Sequence, residues 1–535
     1  MPQISRDFQV PGRSPARGMR MMAATSHTAA TTAALNEMSK GGNAVDGALA
    51  AAAVLSVVEP QMTGIGGDCF AIIAQPDGTL HGVNGSGRAP AMLSADMLRT
   101  EGHTKVPPTS PHAITVPGAL RGFEYMASHF GTKRFRELVE PAIKLARDGW
   151  IVTDRVAHDM AHPKDPRDVD QDPVLTRVFR PQGRVPVAGD RLVWPQLAKT
   201  LEMIQRDGVD AFYTGEIARD IVAHIRERGG VMSLSDLANC KADAMTPIQA
   251  DYRGLTIAEL PPNGQGITAL ITLKIMERFD IAAMEADGVD RMHLELEAAR
   301  AAYSLRDVYV GDPDTTVDPD RLMDDAVVDQ LAAQIDPSRR ADGMELPEIP
   351  NSDTVYLSVA DEEGRMVSLI YSVYDDFGAL TATEATGIVL QNRGACFSLE
   401  EGHPNELAGG KRPMHTIIPA MALKDGVPVM SFGVMGGAYQ PLGHAHVISN
   451  IVDYGMDMQA ALDAPRVFWD VGTKNPIIET PFGDSMIAAL NARGHQATDY
   501  AKRAIGGGQA IWRDPDTGAL TGGSDPRKDG CAAGI

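Results

Sequence analysis

The residue pattern changes along this chain from helical spacing in the first half to strand-like runs in the second. From about residue 118 to 310, apolar residues recur at helical intervals and predict helices at 135–148, 194–206, 215–229, 266–280 and 289–308. After residue 353, short apolar runs separated by turns predict strands at 354–359, 366–373, 388–391, 420–423 and 428–432. Helices followed by a strand-rich block indicate helices layered on sheets, so the expected fold class is α+β.

Two consecutive helices are predicted near the N-terminus, at 28–40 and 44–57. Asn43 is suited to cap the second, and Asp46 lies in its first turn, where the helix dipole favours a carboxylate. A glycine loop, Gly64-Ile-Gly-Gly67, follows. On its own such a loop indicates only a tight turn before the next strand.

The composition excludes several classes of partner. Apolar residues make up 44% of the 535, as in ordinary globular proteins, and the net charge is −21. An acidic surface repels phosphate backbones and anionic lipids, so neither nucleic acid nor a membrane is an expected partner. The four cysteines form no CxxC pair and the N-terminus has no apolar signal segment, so a soluble cytoplasmic protein is expected.

No metal or cofactor is expected. The sequence has no P-loop, no GxSxG, no HExxH, and no GxGxxG between a strand and a helix. Among the fourteen histidines, His444 and His446 form the closest pair. Two residues apart on a predicted helix, they point to different faces and do not suggest a metal site.

The junction at residue 354 carries the first catalytic hypothesis. Residues 311–353 are rich in Asp, Pro and Arg and poor in large apolar residues, which predicts an exposed, mobile linker. A strand begins directly after it, with Thr354. An N-terminal nucleophile hydrolase needs this arrangement, because the freed α-amine serves as base for the threonine's own hydroxyl. Threonine is also common in strands, so the spacing alone leaves an ordinary strand residue open.

Motifs along nearly the whole chain resemble the γ-glutamyltransferase family. In the first half the matching motifs are Gly18-Met-Arg-Met-Met-Ala-Ala24, Gly41-Gly-Asn-Ala-Val-Asp46, Val57-Val-Glu-Pro60, Gly64-Ile-Gly-Gly67 and Pro141-Ala-Ile-Lys-Leu-Ala-Arg-Asp-Gly149. In the second half they are Lys411-Arg-Pro413, Met435-Gly-Gly437 and Ser524-Asp-Pro-Arg527. Because these motifs occur in the family's order, the chain is identified as a member of it.

The resemblance implies a four-layer αββα sandwich that is made as a proenzyme. It implies cleavage between Asp353 and Thr354. The products would be a large subunit, residues 1–353, and a small subunit, residues 354–535, which remain intertwined in one domain.

The resemblance also implies the catalytic roles. Thr354 would be the nucleophile, and its methyl group restricts the side-chain rotamer that aims the hydroxyl. Ser372 stands where the family has a second hydroxyl that hydrogen-bonds the nucleophile. Gly436 and Gly437 match the pair whose backbone N–H groups form the oxyanion hole, a role suited to residues without a Cβ.

The position of the family's substrate-binding arginine differs in this chain. In γ-glutamyl-specific members that arginine stands three residues before an Ala-Pro pair and binds the substrate α-carboxylate. Here Ala89-Pro90 is present, but the position is Ser86, and Arg88 lies two residues later. Arg88 either binds the same carboxylate from another angle or is a surface charge.

The α-amino subsite departs further. Where the family has an acidic or amide residue followed by Met-Asp-Asp, this chain reads Arg393-Gly-Ala-Cys396. A guanidinium about 4 Å from a substrate ammonium costs on the order of 4 kcal/mol at an effective dielectric of about 20, roughly a thousandfold in affinity. If Arg393 points into the site, glutathione is expected to be a poor substrate. If it points outward, only the loss of the aspartate at Cys396 applies.

Two further positions exchange hydrogen-bond acceptors for donors. Tyr374 replaces an asparagine, and His415-Thr416 replaces a serine pair. Tyr374 and His415 either donate to a substrate carboxylate or pack as supporting residues, and His415 is expected to be a pH-sensitive contact. Together with Arg393, and with Arg88 if it binds, they favour an anionic substrate without an α-amino group. This pattern resembles divergent members of the family, including oxamate amidohydrolase and the cephalosporin acylases.

The sequence therefore predicts a self-cleaving amide hydrolase that acts on small carboxylate-bearing amides through an acyl-enzyme on Thr354. The alternative is glutathione hydrolysis and γ-glutamyl transfer, which uses the same catalytic residues and differs only at the acyl pocket. A third possibility is a non-catalytic binding protein on the same fold, which a chain that never splits would support.

Overall fold

The computed structural model describes Gln9 and residues 12–162, 169–344, 353–470, 472–499 and 504–535. In chain order the strands are β1 Ala16–Gly18, β2 Met21–Thr25, β3 Asp68–Ala74, β4 Leu80–Gly85, β5 Trp150–Ile151, β6 Arg191–Leu192, β7 Asp243–Met245, β8 Ile248–Tyr252, β9 Leu255–Glu259, β10 Asp353–Asp361, β11 Met366–Tyr374, β12 Ala420–Lys424, β13 Val427–Met435, β14 Val467–Trp469, β15 Pro476–Ile478, β16 Thr498–Asp499, β17 Gly507–Arg513, β18 Leu520–Ser524 and β19 Cys531–Gly534.

The α-helices surround these strands. They are α1 Thr28–Ser39, α2 Ala44–Val58, α3 Ala95–Thr100, α4 Ala119–Phe130, α5 Phe135–Leu138, α6 Glu140–Asp148, α7 Asp154–Ala161, α8 Pro173–Phe179, α9 Pro195–Asp207, α10 Asp210–Thr214, α11 Glu216–Glu227, α12 Leu234–Ala238, α13 Gly266–Met276, α14 Val289–Tyr309, α15 Pro319–Leu322, α16 Asp325–Ala332, α17 Gln440–Val452, α18 Met458–Asp463 and α19 Gly483–Ala492. Among the described residues, no helix combines the length and the apolar character that crossing a membrane requires.

Two seven-stranded sheets form the centre of the molecule. The first has the order β1-β18-β17-β13-β12-β9-β8, and the second has the order β19-β2-β10-β11-β3-β4-β7. Every pairing within them is antiparallel. The predicted nucleophile strand β10 is therefore an interior strand of the second sheet, flanked by β2 and β11.

Helices cover the outer face of each sheet. Along β10, Val355 and Leu357 belong to the core shared with α1 and α2, whereas Tyr356 and Ala360 belong to the core between the sheets. This alternation is the period of two expected of a strand with both faces buried. On the other side, α13, α14 and α17 cover the first sheet. The predicted four-layer αββα arrangement is confirmed.

The N-terminal helix pair forms as the sequence predicts. The Asn43 side chain accepts from the backbone N–H groups of Val45 and Asp46, and the Asp46 carboxylate accepts from the Asn43 N–H at 2.8 Å. This capping box satisfies donors that the first turn would otherwise leave unpaired. It fixes where α2 begins, and the end of α2 leads directly into the glycine loop.

Three local predictions differ from the structure. The helix predicted at 135–148 is divided into α5 and α6, because Pro141 occupies the first turn of a new helix. Residues 388–391 form no ladder strand and have only an isolated bridge between Ala382 and Val389, because their backbone groups bond to loops.

The predicted linker at 311–353 is also different over its described part. Residues 311–344 contain α15 and α16, and Val328 and Leu331 of α16 are buried. These few apolar residues recur at helical spacing, so they bury one face although the segment is polar as a whole. The remaining part, 345–352, lies outside the described residues.

Candidate active site

Thr354 lies at the start of β10, and the chain runs continuously from Asp353 into it. The register of β10 against β11 shifts between Asp353 and Val355, which places Thr354 in an irregularity of the ladder. Such bulges re-aim side chains. Thr354 is buried, and its Oγ1 donates a hydrogen bond of 3.4 Å to the Oγ of Ser372. The predicted nucleophile and its predicted hydroxyl partner are in contact.

The Oγ of Ser372 accepts hydrogen bonds from three donors. Besides Thr354, the backbone N–H of Tyr374 donates to its Oγ at 2.8 Å and the Nη2 of Arg393 donates at 3.3 Å. The glycine loop packs against the same residue, since a Cβ on Gly67 would lie 2.2 Å from the Ser372 carbonyl oxygen. The loop is thus more than a tight turn, because it supports the backbone that holds this hydroxyl.

Arg393 points into the site and is fully buried. Its Nη1 donates to the Thr416 Oγ1 at 2.8 Å, and its guanidinium carbon lies 4.2 Å from the centre of the Tyr374 ring. The Arg393 Nε is buried without a hydrogen-bond partner. Among the described residues, no carboxylate lies within ion-pairing distance of this guanidinium. Arginine is almost never fully buried unless it is paired, so this charge is unusual.

The two side chains beside the guanidinium, Tyr374 and Cys396, do not supply a negative charge. The Tyr374 ring faces the guanidinium, and the Cys396 thiol interacts with both groups. Burial raises the pKa of the Cys396 thiol and raises the pKa of the Tyr374 hydroxyl well above its usual range. Both groups are therefore neutral at ordinary pH, and Arg393 gives this part of the site a positive charge.

His415 is a neutral residue of the same cluster. Its Nε2 donates to the Asp68 Oδ2 at 3.2 Å, and its Nδ1 accepts from the backbone N–H of Ile417. Burial and, secondly, the Arg393 charge lower the pKa of His415 to about 3. The expectation that His415 is pH-sensitive is therefore wrong for pH values near neutrality. Its packed position against Asp68 corresponds to the supporting role.

The glycine pair lies at the same end of the sandwich as Thr354. Strands β10 and β13 face each other between the sheets: Ser358 Oγ donates to the Ser431 carbonyl at 3.1 Å, and a Cβ on Gly433 would lie 2.4 Å from the Tyr356 ring. Each step of two residues towards the start of β10 is thus matched by a step of two residues towards the end of β13. Thr354, at the start of β10, therefore lies level with the end of β13. Gly436 and Gly437 come directly after that end.

Gly436 has a backbone conformation that requires glycine. Its φ is +118°, and a Cβ there would lie 2.9 Å from the Gly506 Cα. Gly437 follows with a φ of +59° and opens a short 3₁₀ turn. The Gly437 carbonyl accepts from the Gln265 side chain at 2.9 Å, and the same amide donates to the Thr416 carbonyl at 2.6 Å. This contact joins the glycine pair to the residue that holds Arg393.

Arg88 lies outside this chain of contacts. Its side chain is about half exposed, donates to the Gly410 carbonyl at 2.9 Å, and lies 3.7 Å from both Asp243 and Asp312. Within the described part of the chain, no hydrogen bond or ion pair joins Arg88 to Thr354, Ser372 or Arg393. Its role in carboxylate binding stays a prediction, and the surface-charge alternative fits its present partners.

Two residues of the site were missed by the sequence reasoning. Asp68 directly follows the glycine loop, and its Oδ1 accepts from the backbone N–H groups of Gly87 and Gly118 and from the Gln391 side chain at 2.9 Å. Gln265 follows Pro-Pro-Asn-Gly. The only sequence signal for either is a polar residue beside a glycine-containing loop, which is too common to single out.

Within the described ranges, no group of three or more His, Cys, Asp or Glu side chains is arranged to hold a metal ion. The site itself offers side chains and backbone groups that can take part in a reaction. These are a buried threonine hydroxyl, a serine hydroxyl, a glycine pair and an unpaired guanidinium.

Comparison with known proteins gives a consistent family. The family model described as Gamma-glutamyltranspeptidase matches residues 30–535. A protein named glutathione hydrolase-like YwrD proenzyme from Bacillus subtilis is 36% identical over 529 residues, which cover 97% of this chain and 99% of that protein. The oxamate amidohydrolase proenzyme of Klebsiella pneumoniae is 34% identical over 528 residues, which cover 96% and 98% of the two chains.

A solved structure shares the fold over the full length. The crystal structure of a cephalosporin acylase from Bacillus halodurans matches with a TM-score of 0.89 and 37% sequence identity. The match covers 100% of this chain and 99% of that one.

Proposed function

Since this chain belongs to the γ-glutamyltranspeptidase family, we propose that it is a self-cleaving amide hydrolase whose substrates are amides of small carboxylic acids. The two relatives named above are proenzymes, one of them an amidohydrolase. The contact between Thr354 and Ser372 supports the catalytic part of the proposal. The unpaired charge of Arg393 supports the substrate part.

Self-cleavage uses Thr354 first. Its Oγ1 attacks the carbonyl carbon of Asp353, the peptide nitrogen leaves as the α-amine of Thr354, and an ester joins the two residues. Water then hydrolyses the ester and leaves a carboxylate on Asp353. The new α-amine has an ordinary pKa of about 8 and is placed to accept a proton from its own hydroxyl.

Hydrolysis of a substrate repeats these steps with an external amide. Thr354 Oγ1 attacks the substrate carbonyl, and the leaving amine takes a proton from the α-amine of Thr354. The backbone N–H groups of Gly436 and Gly437 stabilise the oxyanion. Water hydrolyses the resulting acyl-enzyme, or an amine accepts the acyl group if one binds.

The observation that carries the substrate proposal is the buried, unpaired guanidinium of Arg393. Removing a cation from water without a paired negative charge is costly, and a substrate carboxylate bound there would compensate it. The same charge disfavours a substrate ammonium, which argues against glutathione as a good substrate. Glutathione hydrolysis nevertheless remains the alternative, because a 36% identical relative is named glutathione hydrolase-like.

The hydrogen bonds at Ser372 favour a short substrate, because they bring the nucleophile close to the proposed carboxylate site. Thr354 Oγ1 and Arg393 Nη2 bond the same Ser372 oxygen, at 3.4 and 3.3 Å, so they lie within about 6.7 Å of each other. An extended carbon chain with bonds of about 1.5 Å advances roughly 1.3 Å per bond. A glutaric acid monoamide thus spans about 5 Å between its carboxyl carbons and a suberic acid monoamide about 9 Å.

The test combines mass spectrometry with a substrate series. Scaling the 57.1 kDa chain by length, cleavage before Thr354 gives fragments of roughly 38 and 19 kDa. The monoamides of oxalic, succinic, glutaric, adipic and suberic acid are then compared with the glutaric diamide and with glutathione. We expect cleavage, turnover of at least one monoamide of six carbons or fewer, and weak turnover of the suberic, diamide and glutathione substrates.

Each other outcome has a distinct meaning. Preferential turnover of glutathione would contradict the proposed role of Arg393 and support the alternative. A folded wild-type chain that stays whole, like Thr354→Ala, would remove the catalytic base and support the binding protein instead.

A further inference from the structure

Gln265 connects the two halves of the proposed active site. It lies between β9 and α13 and is fully buried. Its side-chain amide donates to the Thr416 carbonyl at 2.6 Å and to the Gly437 carbonyl at 2.9 Å. Thr416 holds the Arg393 guanidinium through its hydroxyl, and Gly437 belongs to the glycine pair. One side chain therefore hydrogen-bonds both to the backbone of the residue that holds Arg393 and to the backbone of the glycine pair.

The Gln265 amide is itself held in a fixed orientation. Its Oε1 accepts from the Nη1 of Arg306, a buried residue of α14, at 2.9 Å, and its backbone N–H donates to the His415 carbonyl at 3.0 Å. Because Arg306 can only donate, it fixes which end of the Gln265 amide is the oxygen. Both N–H groups of the amide are then directed at the two carbonyls.

A second contact from α14 supports the same loop. The Tyr303 hydroxyl donates to the carbonyl of Ala438, the residue after the glycine pair. With Gln265, this contact gives two consecutive carbonyls, those of Gly437 and Ala438, side-chain partners from outside the loop. Rigid placement of this loop matters, because oxyanion stabilisation depends on donors that are already in position.

We propose that Gln265 is a positioning residue that sets the distance between the oxyanion hole and the carboxylate-binding arginine. It contacts neither the nucleophile nor, on this proposal, the substrate. It acts through Gly437 on the stabilisation of the oxyanion, and through Thr416 on the location of Arg393. The inference rests on the proposed function and adds to it the residue that couples acyl selection to catalysis.

Two substitutions test this role. Gln265→Met keeps the size of the side chain and removes all three side-chain hydrogen bonds. Gln265→Glu keeps a partner for Arg306 but turns an oxygen towards the two carbonyls. Gln459→Met is the matched control, since Gln459 is also buried and also joins backbone groups, the N–H and carbonyl of Ser524 in β18.

The measurements separate positioning from folding. We determine kcat per active site, counted by the acyl-enzyme burst, and the preference for glutaric monoamide over glutaric diamide. Loss of one oxyanion donor costs about 100- to 1000-fold in kcat, so a displaced donor is expected to cost about 10- to 100-fold. We expect this loss in both Gln265 variants, together with at least a threefold lower preference for the monoamide. Gln459→Met is expected to change only thermal stability.

The proposal fails if folded Gln265→Met keeps both quantities within threefold of the wild type. It also fails if Gln459→Met loses as much kcat per active site, because any buried glutamine would then have the same effect. If the wild type turns over none of the amides, the proposed function fails separately. Our proposal then extends to self-cleavage, which needs no added substrate, with the glycine pair stabilising the oxyanion formed at Asp353. The half-time of self-cleavage decides in that case, because it must lengthen about tenfold in Gln265→Glu and not in Gln459→Met.

Discussion

Replacing Arg393 with glutamine removes the buried positive charge of the site while keeping a side chain that can donate to Thr416 and Ser372. A substrate carboxylate about 4 Å from a guanidinium is stabilised by on the order of 4 kcal/mol at an effective dielectric of about 20. This energy corresponds to roughly a thousandfold in kcat/KM. Because a neutral diamide gains none of it, the variant should lose activity on the monoamide and little on the diamide.

The same substitution should leave the free protein as stable as the wild type or make it more stable. In the structure, Arg393 is buried with its Nε unpartnered. Its charge has no carboxylate within ion-pairing distance among the described residues, so its removal relieves a desolvation cost. A residue that lowers stability and serves activity is typical of a functional site. Thermal unfolding without ligand measures this second effect.

The assay compares kcat/KM for glutaric monoamide and glutaric diamide in the wild type, Arg393→Gln and Arg177→Gln. Arg177 is the matched control, since it is an exposed arginine that pairs with Glu384. We expect the ratio between the two substrates to fall by about two to three orders of magnitude in Arg393→Gln alone. An unchanged ratio would refute the reasoning. A large loss of thermal stability would also refute it, since Arg393 would then be a structural residue whose charge is already compensated.

Three further predictions address selectivity, Arg88 and pH. Arg393→Asn combined with Cys396→Asp restores the residue types of the γ-glutamyl-specific members, so glutathione hydrolysis should rise at least about tenfold; no rise would mean that other positions exclude the ammonium. Arg88→Ala should change the monoamide preference less than Arg393→Gln, because Arg88 already lies 3.7 Å from Asp243 and Asp312; an equal effect would restore it as the carboxylate ligand. Burial lowers the pKa of His495 to about 3 from an ordinary value near 6.5, so unfolding takes up a proton between these values and stability falls as the pH falls. In the uncleaved Thr354→Ala background, His495→Gln should reduce this slope by about 1.4 kcal/mol per pH unit between pH 4 and 6 in urea unfolding; an unchanged slope would mean that His495 titrates normally.

The sequence was sufficient for features that depend on short stretches of chain. Asn43 and Asp46 form a capping box within one turn, and Thr354 heads a strand at a change of composition. The glycine pair, Gly436 and Gly437, occurs in a motif that resembles the family, and the structure places it at the end of β13. In each case, the residues that indicate the feature lie close together in the sequence.

Contacts between distant parts of the chain were not predictable in the same way. The direction of Arg393 depends on Thr416 and on the Tyr374 ring, so the sequence left it open. The Asp68–His415 contact joins residues 347 positions apart, and only the folded chain brings them together. Similarly, the neutral state of His415 follows from burial and from the Arg393 charge, neither of which a residue type reveals.

Ser372 contacts both the nucleophile and the residue proposed to select the substrate, so catalysis and substrate selection are not independent in this site. Its Oγ accepts from the nucleophile Thr354 and from Arg393, the residue proposed to select the acyl group. A hydroxyl oxygen has two acceptor sites, and the backbone N–H of Tyr374 also donates to it at 2.8 Å, so these donors compete. Removing the Arg393 donor should therefore strengthen the 3.4 Å bond from Thr354, besides removing the charge.

Self-cleavage separates these two effects, because it uses Thr354 and needs no substrate carboxylate. If Arg393 acts only on the acyl group, Arg393→Gln should cleave itself at the wild-type rate. If losing the Arg393 donor also strengthens the hydrogen bond from Thr354 to Ser372, the half-time of self-cleavage should change. The ratio of kcat/KM for the monoamide to that for the diamide should fall as before. Mutations that change substrate choice at position 393 would then alter maturation as well, and a new specificity would require a compensating change at Ser372 or Tyr374.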